Sequence, residues 1–246
     1  METTQTIHTT TDEIADGIFR ISTWVPEVTP DGFTFNQFLV RGDESLLFHT
    51  GMRALFPLVS EAVGRLIDPT SLRWVSFGHV EADESGSMNA WLATAPDSQV
   101  AFGELGCMVS LNDLCDRPPR PLAEGEVIDL GSKRLRQIST PHVPHGWEAQ
   151  VLFEETTSTL LCGDLFSQVG RTEAITTDDV VGPALGAEAM FRSMAMGPGT
   201  ATALRQLADL RPTTLAVMHG ASFSGDGAAA LDQLAAGCRE LAGAPA

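Results

Sequence analysis

Tyrosine is absent from these 246 residues, and basic side chains are scarce: 15 Lys and Arg stand against 32 Asp and Glu, a net charge of −17. Without tyrosine there is no phenol to act as proton donor or radical partner, so proton delivery falls to acids, histidines or water. The excess of negative charge repels phosphate backbones and anionic lipid, which excludes nucleic acid and membrane as partners. The four cysteines, Cys107, Cys115, Cys162 and Cys238, form no CxxC pair, which argues against a disulfide framework or a thiolate metal site. Reduced, buried thiols are the expectation. No apolar run reaches the roughly 18 residues of a membrane span. The opening METTQTIHTTTDE lacks the basic and apolar regions of an export signal, so a cytoplasmic protein is expected. No glycine-rich flavin or phosphate loop is present either, and GDGAAA at 225–230 reads as a helix start.

What is present is a core-forming chain, 43% hydrophobic. Strand patterns run through GIFRIST (17–23), FTFNQFLV (33–40), SLLFHTG (45–51), RWVSFGHV (73–80) and QVAFGE (99–104). Apolar groups return at helical spacing over 53–67, with Pro57 in the first turn, and a helix is expected over 84–95 near Ser85 or Ser87. A short helix over 109–115 and the Pro-rich crossing RPPRPLAEG (117–125) lead to strands 126–130 and 134–140 and a hairpin over 148–164 turning at ETTS. Helices at 186–195 and 199–210, a strand at 213–219 and a helix at 227–242 complete the chain. The methionines at 190, 194 and 196 fit core spacing. No linker interrupts this order, which reads as one domain over 1–246, its core about 15–242, with two sheets and outer helices.

The polar residues gather at strand ends. His79 closes one strand pattern, with Glu81 and Asp83 just beyond; His145 precedes EAQVLF; Asp164 ends TLLCGD; His219 ends TTLAVMH. His79, Glu81 and Asp83 alone would fit a solvated strand end equally well. Four such ends in a chain with only six histidines call for a site mounted on a rigid scaffold. Alternation on an extended segment would aim His79, Glu81 and Asp83 to one side.

The order His79-x-Glu81-x-Asp83, then His145, Asp164 and His219 at gaps of 61, 18 and 54 residues, resembles the diiron site of flavodiiron proteins in the metallo-β-lactamase superfamily. GHVEADESGS, FNQFLV…LLFHTG and LLCGDLF resemble the family's corresponding segments, and the likeness runs from about residue 15 to 240. The resemblance implies an α/β fold, the four-layer αββα sandwich, with the site at one edge between the sheets. It implies that His79, Glu81 and His145 hold one metal and Asp83 and His219 another, with Asp164 bridging. His142 competes with His145; the resemblance favours His145, whose 18-residue gap to Asp164 is the family's, and leaves His142 as an outer or cleft residue. Trp147, beside His145, is a candidate cleft wall. Cys162, two residues before Asp164, is weighed as a site neighbour and better read as packing.

Two positions depart from the family. Glu84 stands where flavodiiron proteins usually carry a histidine, and His49 where the superfamily commonly has aspartate; both are read as support behind the metal ligands. Three imidazoles with three carboxylates favour iron or manganese over zinc, although zinc accepts carboxylates too. The resemblance therefore implies two metal ions, iron first, in a stand-alone protein that binds, senses or reduces dioxygen or nitric oxide. Family members draw electrons from a flavin domain in the same chain; here a separate electron donor is expected. A head-to-tail homodimer is implied by the same relatives. The alternative is a metal-dependent hydrolase of an ester, thioester or phosphate, with a bridging hydroxide as nucleophile.

Overall fold

Strands β3 (Phe33–Arg41) and β4 (Ser45–Phe48) are buried along almost their whole length. A strand can hide both of its faces only when layers cover it on either side. The computed structural model, which describes residues 7–243, supplies those layers. The first sheet runs β1 (His8–Ala15), β2 (Ile18–Val25), β3, β4, β5 (Trp74–Ser76), β6 (Gln99–Gly103) and β7 (Arg120–Leu122), in that spatial order. The second contains β8 (Val127–Asp129), β9 (Arg134–Ser139), β10 (Gln150–Glu154), β11 (Thr159–Leu161), β12 (Ile175–Thr176), β13 (Thr214–Ala216) and β14 (Ser222–Ser224), in the order β12-β14-β13-β11-β10-β9-β8.

Side-chain alternation sorts the core into three. Phe38, Leu46, Phe48 and Trp74 of the first sheet meet Leu135, Leu152, Leu161 and Ala216 of the second. On its outer face the first sheet presents Ile21, Leu39, Leu47 and Val75 to α1 (Phe56–Gly64) and α3 (Met88–Thr94), through Val59, Ala62, Trp91 and Leu92. The second sheet turns Val151, Phe153, Leu160 and Leu215 toward α6 (Val181–Phe191), α7 (Thr200–Ala208) and α8 (Gly227–Gly243). The result is the expected αββα sandwich, with α2 (Ala82–Ser85) and the short turns α4 (Glu104–Gly106) and α5 (Asn112–Leu114) at its margins. Among the described residues no helix is long and apolar enough to cross a membrane.

Several expectations are corrected. The strand expected over 73–80 stops at Ser76, and Asp83 lies in α2, so alternation along one strand does not align His79, Glu81 and Asp83. The expected helix over 84–95 is broken between α2 and α3, and Cys107–Leu111 before α5 forms a π-helical turn. The edge strands β1, β7 and β12, and the short β14 between β12 and β13, were not legible. β1 reads HTTTDEIA, half-exposed and polar, and its pairing with β2 extends the core N-terminal to residue 15.

Direction places the ends. β4, β5 and β6 are parallel, as are β11 and β13, whereas β10 runs antiparallel to β11. The C-terminal ends of β5, β11 and β13 and the start of β10 therefore face one edge. The β10–β11 hairpin that carries two of these segments is closed by Glu154, which is fully buried. Its carboxylate accepts hydrogen bonds from the backbone N–H of Arg134, Thr156 and Thr157 and from the Thr157 hydroxyl. Burial opposes its ionisation, but these donors hold its pKa below the usual carboxylate value. A carboxyl depressed in the folded state contributes stability above its unfolded pKa, near 4.5, and loses that contribution as pH falls through the folded value. Glu154→Gln is expected to cost about 1–3 kcal/mol in urea unfolding at pH 7. The deficit should shrink once the wild-type carboxyl is itself protonated in acid.

Candidate metal centre

His79 stands three residues beyond β5, Glu81 caps the start of α2 in extended conformation, and Asp83 falls in its first turn. His145 occupies the loop between β9 and β10, while Asp164 and His219 follow β11 and β13. The two sheets thus deliver all six side chains to one edge, although α2 rather than a straight strand supplies Asp83.

Their donor atoms form two groups. Nε2 of His79 and Nε2 of His145 each lie 2.8 Å from Glu81 Oε2, and 3.9 and 3.8 Å from Asp164 Oδ2. The four side chains of this group present one ligand atom each within 4.8 Å of one another. On the other side, His219 Nε2 is 3.2 Å from Asp164 Oδ1 and 3.4 Å from Asp83 Oδ2. Asp164 therefore turns one carboxylate oxygen toward each group. Donors bonded to one ion at about 2.1 Å lie roughly 3–3.5 Å apart, so these spacings suit shared cations.

The rings are held from behind. His219 Nδ1 donates to the Thr34 carbonyl at 2.7 Å, which leaves Nε2 for the site, and the ring lies against Phe33 with centroids 4.3 Å apart. Asn36 ties the same loop to β3 by donating to the carbonyls of Val217 and Gly220. His79 turns Nδ1 to Glu84 Oε1 at 3.2 Å. Glu84 is fully buried and accepts from the backbone N–H of Gly78 at 2.5 Å and of His79 at 2.8 Å. His49, also fully buried, has Nδ1 3.2 Å from the Asn36 carbonyl and Nε2 3.4 Å from Glu84 Oε1. Glu84 thus packs behind the ring of His79, and His49 behind Glu84.

The electrostatics describe a centre short of positive charge. Burial opposes protonation of His79, yet the carboxylates of Glu84, Glu81 and Asp164 push its pKa up to about 12. His219 rises to about 10, against burial, through Asp164 and Asp83. The hydrogen bond with Glu81 raises His145, and the same bonds from His145 and His79 hold Glu81 far below the carboxylate range. Asp164 is brought to about 2 by His219, His79 and His145 despite its burial. Asp83 Oδ1 and Asp164 Oδ1 are buried without a hydrogen-bond donor. Imidazoles holding protons as counter-charge, and carboxylate oxygens with no donor, are what a cation would resolve, so the residues present fit a metal pair.

A cleft of about 210 Å³ opens onto the group, walled by Phe33, Ala187, Glu188 and Phe191 besides the site residues. These walls were not read from the sequence as site residues: Phe33 sits in a strand pattern and reads as core, and residues 187, 188 and 191 read as an ordinary helix. Two outer candidates are corrected. His142 is exposed, bends through a backbone φ of 64° and does not line the cleft. Trp147 is 54% exposed and walls a different depression, beside Glu104 and Pro141. Cys162 is packed in the core, as expected. Met194 and Met196 pack against that core, but Met190 is 62% exposed because it lies on the outer side of α6. Because the imidazoles must release protons to bind a cation, metal affinity should weaken as pH falls, by at least about tenfold per pH unit between pH 8 and 6. Chelator competition at several pH values measures this, with proton release seen in weakly buffered solution.

Residues 33–220 match the family described as ODP family beta lactamase. A diflavin flavoprotein (A 1) of Nostoc sp. is 29% identical over 139 residues, which is 55% of this chain and 24% of that relative. Among solved structures, rubredoxin oxygen:oxidoreductase of Desulfovibrio gigas superposes with a TM-score of 0.83 at 20% identity, covering 94% of this chain and 62% of that one. The metal-soaked Flv1 flavodiiron core of Synechocystis sp. gives 0.85 at 18%, covering 97% and 63%. The chain spans about a quarter of the length of the diflavin flavoprotein it matches, and these structures establish the shared fold. With most of its length inside the matched region, this chain belongs to the ODP family of beta lactamases.

Proposed function

We propose that this protein holds two metal ions, iron in the first place, and binds, senses or reduces dioxygen or nitric oxide. The observation that carries the proposal is the split presentation of Asp164, one oxygen toward His79, Glu81 and His145 and the other toward Asp83 and His219. In this reading the first three side chains hold one ion, Asp83 and His219 the other, and Asp164 bridges. Three carboxylates favour iron or manganese, because anionic oxygen donors offset the charge gained on oxidation. The chemistry such a pair supplies is electron transfer to a small bound molecule.

The chain's own side chains define the rest. Thr34 and Glu84 orient the rings of His219 and His79. Phe33, Ala187 and Phe191 wall a 210 Å³ cleft whose size suits small molecules. With no tyrosine in the chain, protons reach the cleft through acids, histidines or water. Glu188 and Ser193 line it and share a 2.8 Å hydrogen bond. Reducing equivalents come from an electron donor, and the four free cysteines suit a reducing cytoplasm. The likeness to an oxygen oxidoreductase and a flavodiiron core supports this reading, and the hydrolytic alternative is not favoured.

Protein purified without oxygen from iron-replete cells is expected to carry about two irons per chain and to change its absorbance when air or nitric oxide is admitted. Zinc alone, in colourless protein, would overturn the proposal. Asp164→Ala should lose both ions and His145→Ala the first, whereas His142→Ala should retain both; metal analysis of the three variants decides the assignment.

A further inference from the structure

His79 receives a carboxylate on each side of its ring. Glu81 meets Nε2, and Glu84 meets Nδ1 from a pocket with no opening to the cleft. Resting on the metal reading above, we infer that Glu84, backed by His49, is a positioning residue: it fixes the ring of His79 and thereby sets how tightly the group of His79, Glu81, His145 and Asp164 holds its ion.

Three observations lead there. The first is immobilisation. Glu84 is wholly buried, and Oε2 is pinned by the N–H groups of Gly78 and His79, so its carboxylate is locked to the backbone that carries the ring it faces. Its own carbonyl accepts from the N–H and hydroxyl of Thr50, which joins α2 to the loop after β4. The second is the space made for it. A Cβ on Gly78 would lie 3.0 Å from Oε2 and 3.2 Å from Oε1 and would crowd the carboxylate, while one on Gly163, 3.5 Å from Oε1, would make ordinary contact, so the glycine after β5 makes the space. Gly163 also has φ +55°, in the left-handed region that favours glycine. The third is the remaining oxygen. Oε1 lies 3.2 Å from His79 Nδ1 and 3.4 Å from His49 Nε2, both off the line of a good hydrogen bond and with no better donor near.

His49 is itself constrained. It holds a backbone φ of 64°, donates its N–H to the Ser76 carbonyl, and has Nδ1 facing the Asn36 carbonyl. That places Nε2 against Glu84 without freedom to turn away. An imidazole that binds metal through Nε2 carries its hydrogen on Nδ1, and an acceptor there selects this tautomer and raises the basicity of the metal-binding nitrogen. In this chain the acceptor is Oε1, and binding the ion would draw Nδ1–H into line with it.

The test uses cobalt(II) as the probe ion, loaded into the full chain in place of iron. Its paramagnetism shifts the exchangeable ring N–H protons of bound histidines out of the main proton spectrum. Glu84→Gln is expected to weaken the tighter cobalt site by about 10–100-fold in chelator competition. It should also move or broaden the N–H resonance that His79→Gln abolishes. His49→Gln should move the same resonance with a smaller loss of affinity. Wild-type affinity together with an unmoved resonance in both variants would overturn the positioning role and leave the metal reading intact. A wild-type chain that takes up neither cobalt nor iron would overturn both. Should Glu84→Gln fail to fold, the resonance in His49→Gln decides: movement supports the relay, and an unmoved signal ends it.

Discussion

Like charges gathered in a low-dielectric place must be answered by opposite charge, and in this protein that constraint centres on Asp164. Its carboxylate is mostly buried and lies within 4 Å of three imidazoles. Each of those rings is in turn committed elsewhere: His79 to Glu81 and Glu84, His145 to Glu81, His219 to Asp83 and Thr34. The network closes on itself with acids and bases brought together at the end of a hydrophobic sandwich. Such an arrangement is costly to bury unless cations or protons balance it. The scaffold around it has the rigidity to impose that cost: both sheets are covered on two faces, and the layer between them is built from Phe, Leu and Trp side chains.

Strand direction does the geometric work. Parallel neighbours put their C-terminal ends at the same edge, and the β10–β11 hairpin returns a fourth segment there. His79, Asp164 and His219 each stand three residues past a strand, close enough for the sheet to fix their backbone. This is why the site can draw on residues as far apart as His79 and His219 without a long, self-structured loop.

Much of this was legible in the sequence, for a physical reason. Central strands buried on both faces must be apolar runs, and a histidine or acid at the end of such a run stands out against them. LLCGD and LAVMH carry that signature, whereas the preference for His145 over His142 rests on the family resemblance, whose gap to the bridging aspartate it matches. Other features were hidden. His79, Glu81 and Asp83 reach the edge through a strand end, an extended cap and a helical turn, and a one-residue alternation mimics a single strand that is not there. The edge strand β12 (Ile175–Thr176) and its neighbour β14 (Ser222–Ser224) are too short to impose a periodicity. His142 and Trp147 have the right chemistry, but whether a loop side chain turns inward depends on backbone angles that composition does not record.

Phe33 comes from the first sheet and Phe191 from the end of α6, outside the second, and their rings meet edge to face at 5.7 Å beside the cleft. The mouth is therefore a pair of jaws rooted in different layers, one riding on a strand and one on a helix. A strand hydrogen-bonded to neighbours on both sides is a fixed jaw. The other jaw is the last residue of a helix, 45% exposed, after which the chain turns away through left-handed backbone at Arg192. None of the six ligand-type side chains comes from α6, so the width of the mouth and the geometry of the metal centre are set by different elements of the same fold.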